Sequence, residues 1–140
     1  MRHLLLIAAF PALAACQAEP AITVTDATIA AGPRSAAVYA TIINEGGADR
    51  LVGIEVDGRA PIALHQTSNA GGVMRMRGVD TLDVPANGRL KLESSGAHGM
   101  AMGRIQTDPP AVPLTFRFAN SPPVSVRAAV TGPGGTAQQP

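Results

Sequence analysis

A chain of 140 residues with eleven Lys and Arg against ten Asp and Glu carries a formal charge of +1, which leaves room for one small domain and supplies no basic patch for nucleic acid. Three Phe, one Tyr and no Trp leave its core to aliphatic side chains. Fifteen Gly and twelve Pro favour short strands and tight turns over a helical bundle.

Residues 1–16, MRHLLLIAAFPALAAC, read as a targeting segment: Arg2 and His3 lead, an apolar run follows from Leu4, and small residues precede Cys16. The apolar run is too short to span a bilayer as a helix. LAAC resembles a bacterial lipobox, in which the cysteine becomes the lipidated first residue of the exported chain. The plainer alternative is a signal peptidase site after ALAA with a free thiol beside it. Cys16 is the only cysteine, so no disulfide competes for it. A lipid there would hold the protein on a membrane by burying methylenes at about 0.8 kcal/mol each. Gln17, where an aspartate would favour the inner membrane, implies by the same resemblance an outer-membrane anchor facing the periplasm of a Gram-negative cell. Residues 17–21 are then a short linker.

The chain from 22 to 130 reads as strands. AITVTDATIA, SAAVYATIIN, DRLVGIEV, PIALHQT, VDTLDV, RLKLES, PLTFRFA and VSVRAAV are short, alternating or rich in β-branched residues, and separated by Gly, Pro and Asn. NEGGADR and PANGR carry hairpin signals, the second through Asn87-Gly88, a pair suited to a type I′ turn. NAGGV is a further turn leading into VMRMRG. About eight strands at this spacing predict an all-β Greek-key sandwich, because two faces must be buried to make one core. TGPGGTAQQP has no apolar periodicity, and residues 131–140 are expected to be a disordered tail.

Once residues 1–15 are removed, every His and Met that survives lies between positions 65 and 102. VMRMRG places Met74 and Met76 on one strand face, with Arg75 and Arg77 on the other. AHGMAM, if extended, puts His98, Met100 and Met102 on one face. Taken singly these residues are ordinary: methionines at period two fill cores, a lone strand histidine is satisfied or faces water, and an arginine pair is a solvated face, though one able to guide an acidic partner.

Taken together they suit a soft cation. Cu(I) accepts imidazole and thioether donors and needs no anionic ligand. Zinc would miss its cysteines or carboxylate. Calcium and magnesium need oxygen clusters, whereas Asp80, Asp83, Glu93 and Asp108 are scattered. A thioether also cannot be drawn into a disulfide in an oxidising compartment. Protons compete for the imidazoles, so copper affinity should weaken as pH falls.

The spacing His65-x10-Met76-x21-His98-x-Met100 resembles the signature of the periplasmic PCu(A)C copper chaperones, the DUF461 family. AAVYATIIN, ALHQT, GVMRMRGVDTLDVPANGRLKL and AHGMAMG are similar to segments of that family across residues 22–130. Thr28 and Ala40 depart from the usual family text, as core substitutions that leave the motif intact. The resemblance implies a cupredoxin-like β-sandwich without the blue-copper cysteine. It implies one Cu(I) per chain, held by His65, Met76, His98 and Met100 at an exposed end, with Met74 and Met102 packing near the site. It also implies a monomer that passes copper to the dinuclear copper centre of a cytochrome c oxidase subunit, directly or through a thiol-bearing copper chaperone. The tail lacks His and Met, so no second copper site is expected there.

No catalytic constellation accompanies these residues, and an enzyme is not expected. Two other functions fit the same text. A copper-buffering or storage lipoprotein would use the same ligands, and a non-metal envelope interaction module would use the methionines as a binding patch. A copper redox protein would have to hold Cu(II) as well.

Overall fold

The computed structural model describes residues 18–56, 60–103, 105 and 110–132. The targeting segment with Cys16, and the expected tail from residue 133 onward, lie outside the described residues. Ten strands run in chain order: β1 Ile22–Ala31, β2 Ser35–Asn44, β3 Asp49–Val56, β4 Ala60–Ala70, β5 Val73–Val79, β6 Leu82–Val84, β7 Gly88–Leu92, β8 Ala97–Met102, β9 Ala111–Phe118 and β10 Val124–Thr131. No helix among the described residues is long and apolar enough to cross a membrane.

The strands pair in the order β5-β4-β8-β7-β2-β1-β10-β9-β3-β6, with β4 also on β3 and β8 also on β2. Those two extra pairings fold the sheet back on itself, so its inner surfaces meet around a single core. This is the expected all-β, cupredoxin-like sandwich. Sequence alternation accounts for it directly: on β2, Ala36, Val38, Ala40, Ile42 and Asn44 point inward and the residues between them do not. With so few aromatics, the centre is aliphatic around one fully buried ring, Phe116.

Two turn motifs act differently from expectation. PANGR does not close a hairpin: β6 pairs with β3, whereas β7 pairs with β2. Asn87 does take a left-handed φ of 47°, but the turn carries the chain from one part of the sheet to another. Leu82 and Val84 are buried beside β3 and Leu92 beside β2, and that burial decides the path. NEGGADR is likewise a crossover, because β2 and β3 share no ladder. VDTLDV is split at Asp80 and Thr81, so that β5 follows β4 and β6 follows β3.

NAGGV, in contrast, is the tight hairpin its glycines predict. Gly71 and Gly72 have φ of 61° and 82°, and Ala70 pairs with Val73 across them. Asn69 Oδ1 accepts the Gly72 N–H at 3.0 Å. Residues 17–21 were expected as a linker, yet the chain is bonded to the domain from Glu19 onward: Gly47 N–H donates to Glu19 O at 3.2 Å and Glu45 N–H to Ala21 O at 3.0 Å.

Candidate metal centre

Strands β4, β5 and β8 lie side by side, and their register gathers the motif residues. His65 is directly opposite His98, Thr67 opposite Met76, and Ala63 opposite Met100. Paired residues share a face, and so do residues two apart on one strand. All four motif side chains therefore emerge on the same side of the sheet. That side is the outer one, because the residue between His98 and Met100 faces the core: a Cβ on Gly99 would meet Ile62 at 2.8 Å and Val38 at 3.1 Å. Only glycine lets β8 lie flush there.

Although it faces outward, His98 is 4% exposed. Its ring stacks on that of His65, with centroids 5.9 Å apart and planes at 22°. His98 Nδ1 lies 3.2 Å from Gly96 O. A carbonyl only accepts, so Nδ1 carries the proton and Nε2 presents its lone pair. That lone pair points at Met76 Sδ, 3.2 Å away. In the neutral ring of that tautomer, two electron-pair donors face each other, an arrangement that a soft cation converts from repulsion to attraction. His65 Nδ1 is buried and has no hydrogen-bond partner among the described residues. An orphaned buried nitrogen is costly and rare, and it too suits a metal ligand.

Met100 is half-buried on β8, flanked by Ala63 and Ala37, whose small side chains leave it room. Met76 is 51% exposed, so the cluster opens to solvent on the β5 side. Met74 and Met102, expected to pack beside the site, instead stand 57% and 84% exposed. Alternation put them on the right face, but among the described residues nothing covers them. Among the described residues no group of three or more His, Cys, Asp and Glu is placed to hold a metal, so the converging donors are imidazole and thioether.

One contributor was not anticipated. Gly96 O accepts both the His98 ring and the Thr67 N–H, the latter at 2.9 Å. It therefore sets the His98 tautomer and ties the turn before β8 to β4. Backbone carbonyls carry no signature in a sequence, and the only available hint was the turn SSG ahead of His98.

Fold and cluster together define an all-β, cupredoxin-like domain with a soft-donor cluster at an open edge and no thiolate among the described residues. The chain belongs to the PCuAC (DUF461) family, whose LpqE-like lipoprotein model matches residues 22–130. Solved structures agree. The Cu(I) form of DR1885 from Deinococcus radiodurans is 32% identical, with a TM-score of 0.63 over 84% of this chain and 82% of that one. The apo solution structure of DR1885 is 30% identical, with a TM-score of 0.56 over 94% and 97%. The copper-bound PCuAC domain from PmoF2 shares the fold, with a TM-score of 0.64 over 80% of this chain and 93% of that one at 21% identity. Comparison with curated proteins gives no match.

Proposed function

We propose that this protein is a copper chaperone that carries one Cu(I) on His65, Met76, His98 and Met100 and hands it to another protein. The observation that carries the reading is the approach of His98 Nε2 to Met76 Sδ at 3.2 Å, beside the unpaired Nδ1 of His65. The related DR1885 has been solved with Cu(I), and its likeness to this chain supports the same cargo here. Neutral ligands at an open edge favour delivery over storage. The half-exposed Met76 sulfur is the ligand an incoming thiolate or thioether displaces first, without opening the core.

The acceptor in this reading is the dinuclear copper centre of a cytochrome c oxidase subunit, reached directly or through a thiol-bearing chaperone. The protein works in the periplasm as an outer-membrane lipoprotein anchored at Cys16. Only Gln17 separates Cys16 from Ala18, so a lipid there holds the domain close to the bilayer. The protein acts as a monomer and catalyses no reaction of its own.

Anaerobic titration with Cu(I) against a chromophoric chelator tests the site. The wild type should bind one Cu(I) per chain, and His98→Ala/Met100→Ala should lose more than about a hundredfold in affinity, since residues that merely orient metal ligands are already worth 10–100-fold. Equal, weak binding by both proteins returns these methionines to packing and overturns the reading. Transfer then separates delivery from buffering: a chaperone releases copper faster as the acceptor concentration rises, and a buffer releases it at one rate to any chelator.

A further inference from the structure

Strand β5 is the outermost strand of the sheet and pairs only with β4. Every residue from Val73 to Gly78 on it is exposed, and among the described residues no strand lies along its second edge. A strand in that condition is a template for one more strand. Its side chains alternate in chemistry as well as in direction. Met74 and Met76 stand on the face of the metal centre, opposite Asn69 and Thr67, while Arg75 and Arg77 stand on the other face, opposite Ser68 and Gln66. The ion pairs among the described residues are Lys91–Glu93 and Arg117–Glu55, so neither β5 guanidinium is matched there.

These charges choose the occupant. If a second copy of this chain paired β5 to β5 in antiparallel fashion about Met76, Arg75 of each copy would lie opposite Arg77 of the other, and like charges directly opposite are destabilising. An acidic strand reverses the sign. Because the side chains of a strand alternate, a segment that sets carboxylates against Arg75 and Arg77 sets its intervening residues against Met74 and Met76, on the copper side.

We propose that β5 is the docking edge for the copper acceptor, which presents an extended segment of carboxylates alternating with thioether or thiol side chains. This rests on the chaperone reading above and names the chemistry of its partner. Copper keeps its oxidation state in the exchange: a bond from the acceptor's sulfur to Cu(I) forms as the bond from Met76 sulfur breaks, and where the donor is a thiol its proton goes to water. Arg75 and Arg77 project from the face opposite the metal centre; they set the register in which the acceptor's sulfur arrives.

The test uses two labelled peptides, one alternating Glu and Met over seven residues and the other with Gln in place of Glu, added to the copper-free protein. At low salt the Glu peptide should bind about tenfold more tightly, the size two exposed ion pairs give. The preference should fade above about 0.1 M salt as screening sets in. Amides of residues 73–79 should gain protection from hydrogen exchange when it binds. Arg75→Gln/Arg77→Gln should abolish the preference while the protein still binds one Cu(I), and Arg89→Gln on β7 should keep it. Equal binding of the two peptides, a preference that survives the double substitution, or protection on a different strand overturns the proposal. Docking is read without copper and Cu(I) affinity on the same preparations, so the two readings can fail separately.

Discussion

Two polar side chains on strands of this molecule are treated in opposite ways. Asn44, at the end of β2, is 1% exposed and every hydrogen-bonding site of its amide is used. Its Oδ1 accepts from Ala21 N–H at 3.1 Å and Gly46 N–H at 3.0 Å, and its Nδ2 donates to Gly47 O at 2.7 Å and Pro85 O at 3.1 Å. His65, on β4, has a buried Nδ1 with no hydrogen-bond partner among the described residues. The first arrangement welds three separate segments into one crossover region. The second leaves a nitrogen free, which suits the ligand role proposed for it. A saturated polar group marks what the fold needs, and an unsatisfied one marks what the fold is for.

That contrast is broken most severely by Asn44→Ala. Removing the amide leaves two N–H groups and two carbonyls without partners in a buried place, at a cost of about 3–5 kcal/mol. Urea unfolding of the copper-free protein measures it, and molecules that remain folded should still bind one Cu(I). A loss under about 1 kcal/mol would show that water replaces the amide and that the crossover is not held by this residue. Gly47→Ala acts on the same region from the other side. A Cβ there would run into the Ala18 carbonyl oxygen, so the segment before β1 must shift, and overpacking of this kind costs about 1–3 kcal/mol. Thermal melts should fall without any change in copper stoichiometry.

Asp49 sharpens the comparison because its partners can be switched by pH. Its Oδ1 accepts from Arg50 N–H at 2.8 Å and Asn120 N–H at 3.0 Å, and its Oδ2 from Ser121 N–H at 2.9 Å and Ser121 Oγ at 2.6 Å. Burial raises the carboxyl pKa, but the hydrogen bonds from Ser121, Arg50 and Asn120 outweigh it, and the net shift is downward from 3.8. A lowered folded-state value means that the carboxylate stabilises the fold above the unfolded pKa and that the contribution is lost as pH falls through the folded one. Asp49→Asn should therefore cost about 1–2 kcal/mol at pH 7. The gap between wild type and variant should narrow below about pH 4. A gap that stays constant from pH 7 to pH 3 would mean the charge contributes nothing.

What the sequence disclosed follows the same division. Alternation along β2 wrote its burial plainly, because period two is a local property and one face of that strand goes entirely to core. The set His65, Met76, His98 and Met100 came from a resemblance in spacing and not from alternation, and it is the register of β4, β5 and β8 that puts all four on one face. Local chemistry could not tell a hairpin from a crossover. Asn87 adopts the left-handed conformation its type favours, yet where the chain goes next depends on which strand receives Leu92, a non-local choice. Exposure was hidden in the same way. Met74 and Met76 are indistinguishable by period, and only the register places Met76 beside His98 and leaves Met74 toward the hairpin tip. The Gly96 carbonyl that orients His98 was invisible because every residue has one.

The smallest expected effect on stability is also the most discriminating. His65→Leu replaces a ring with an unpaired buried nitrogen by a side chain that has no polar atom to satisfy. Were the imidazole structural, the substitution would cost as much as other losses of a buried polar partner. Because Nδ1 has no partner to lose, the copper-free variant should match the wild type or exceed it by up to about 1 kcal/mol, the lower end of what an unsatisfied buried group costs. Copper should separate the two proteins. A ligand at a hundred times its Kd stabilises the form it binds by about 2.7 kcal/mol, so Cu(I) should raise the melting temperature of the wild type and do much less for the variant. A His65→Leu protein that is markedly destabilised without copper and still gains fully from its addition would move His65 to the side of Asn44, a residue the fold needs, and leave the cargo to the other three donors.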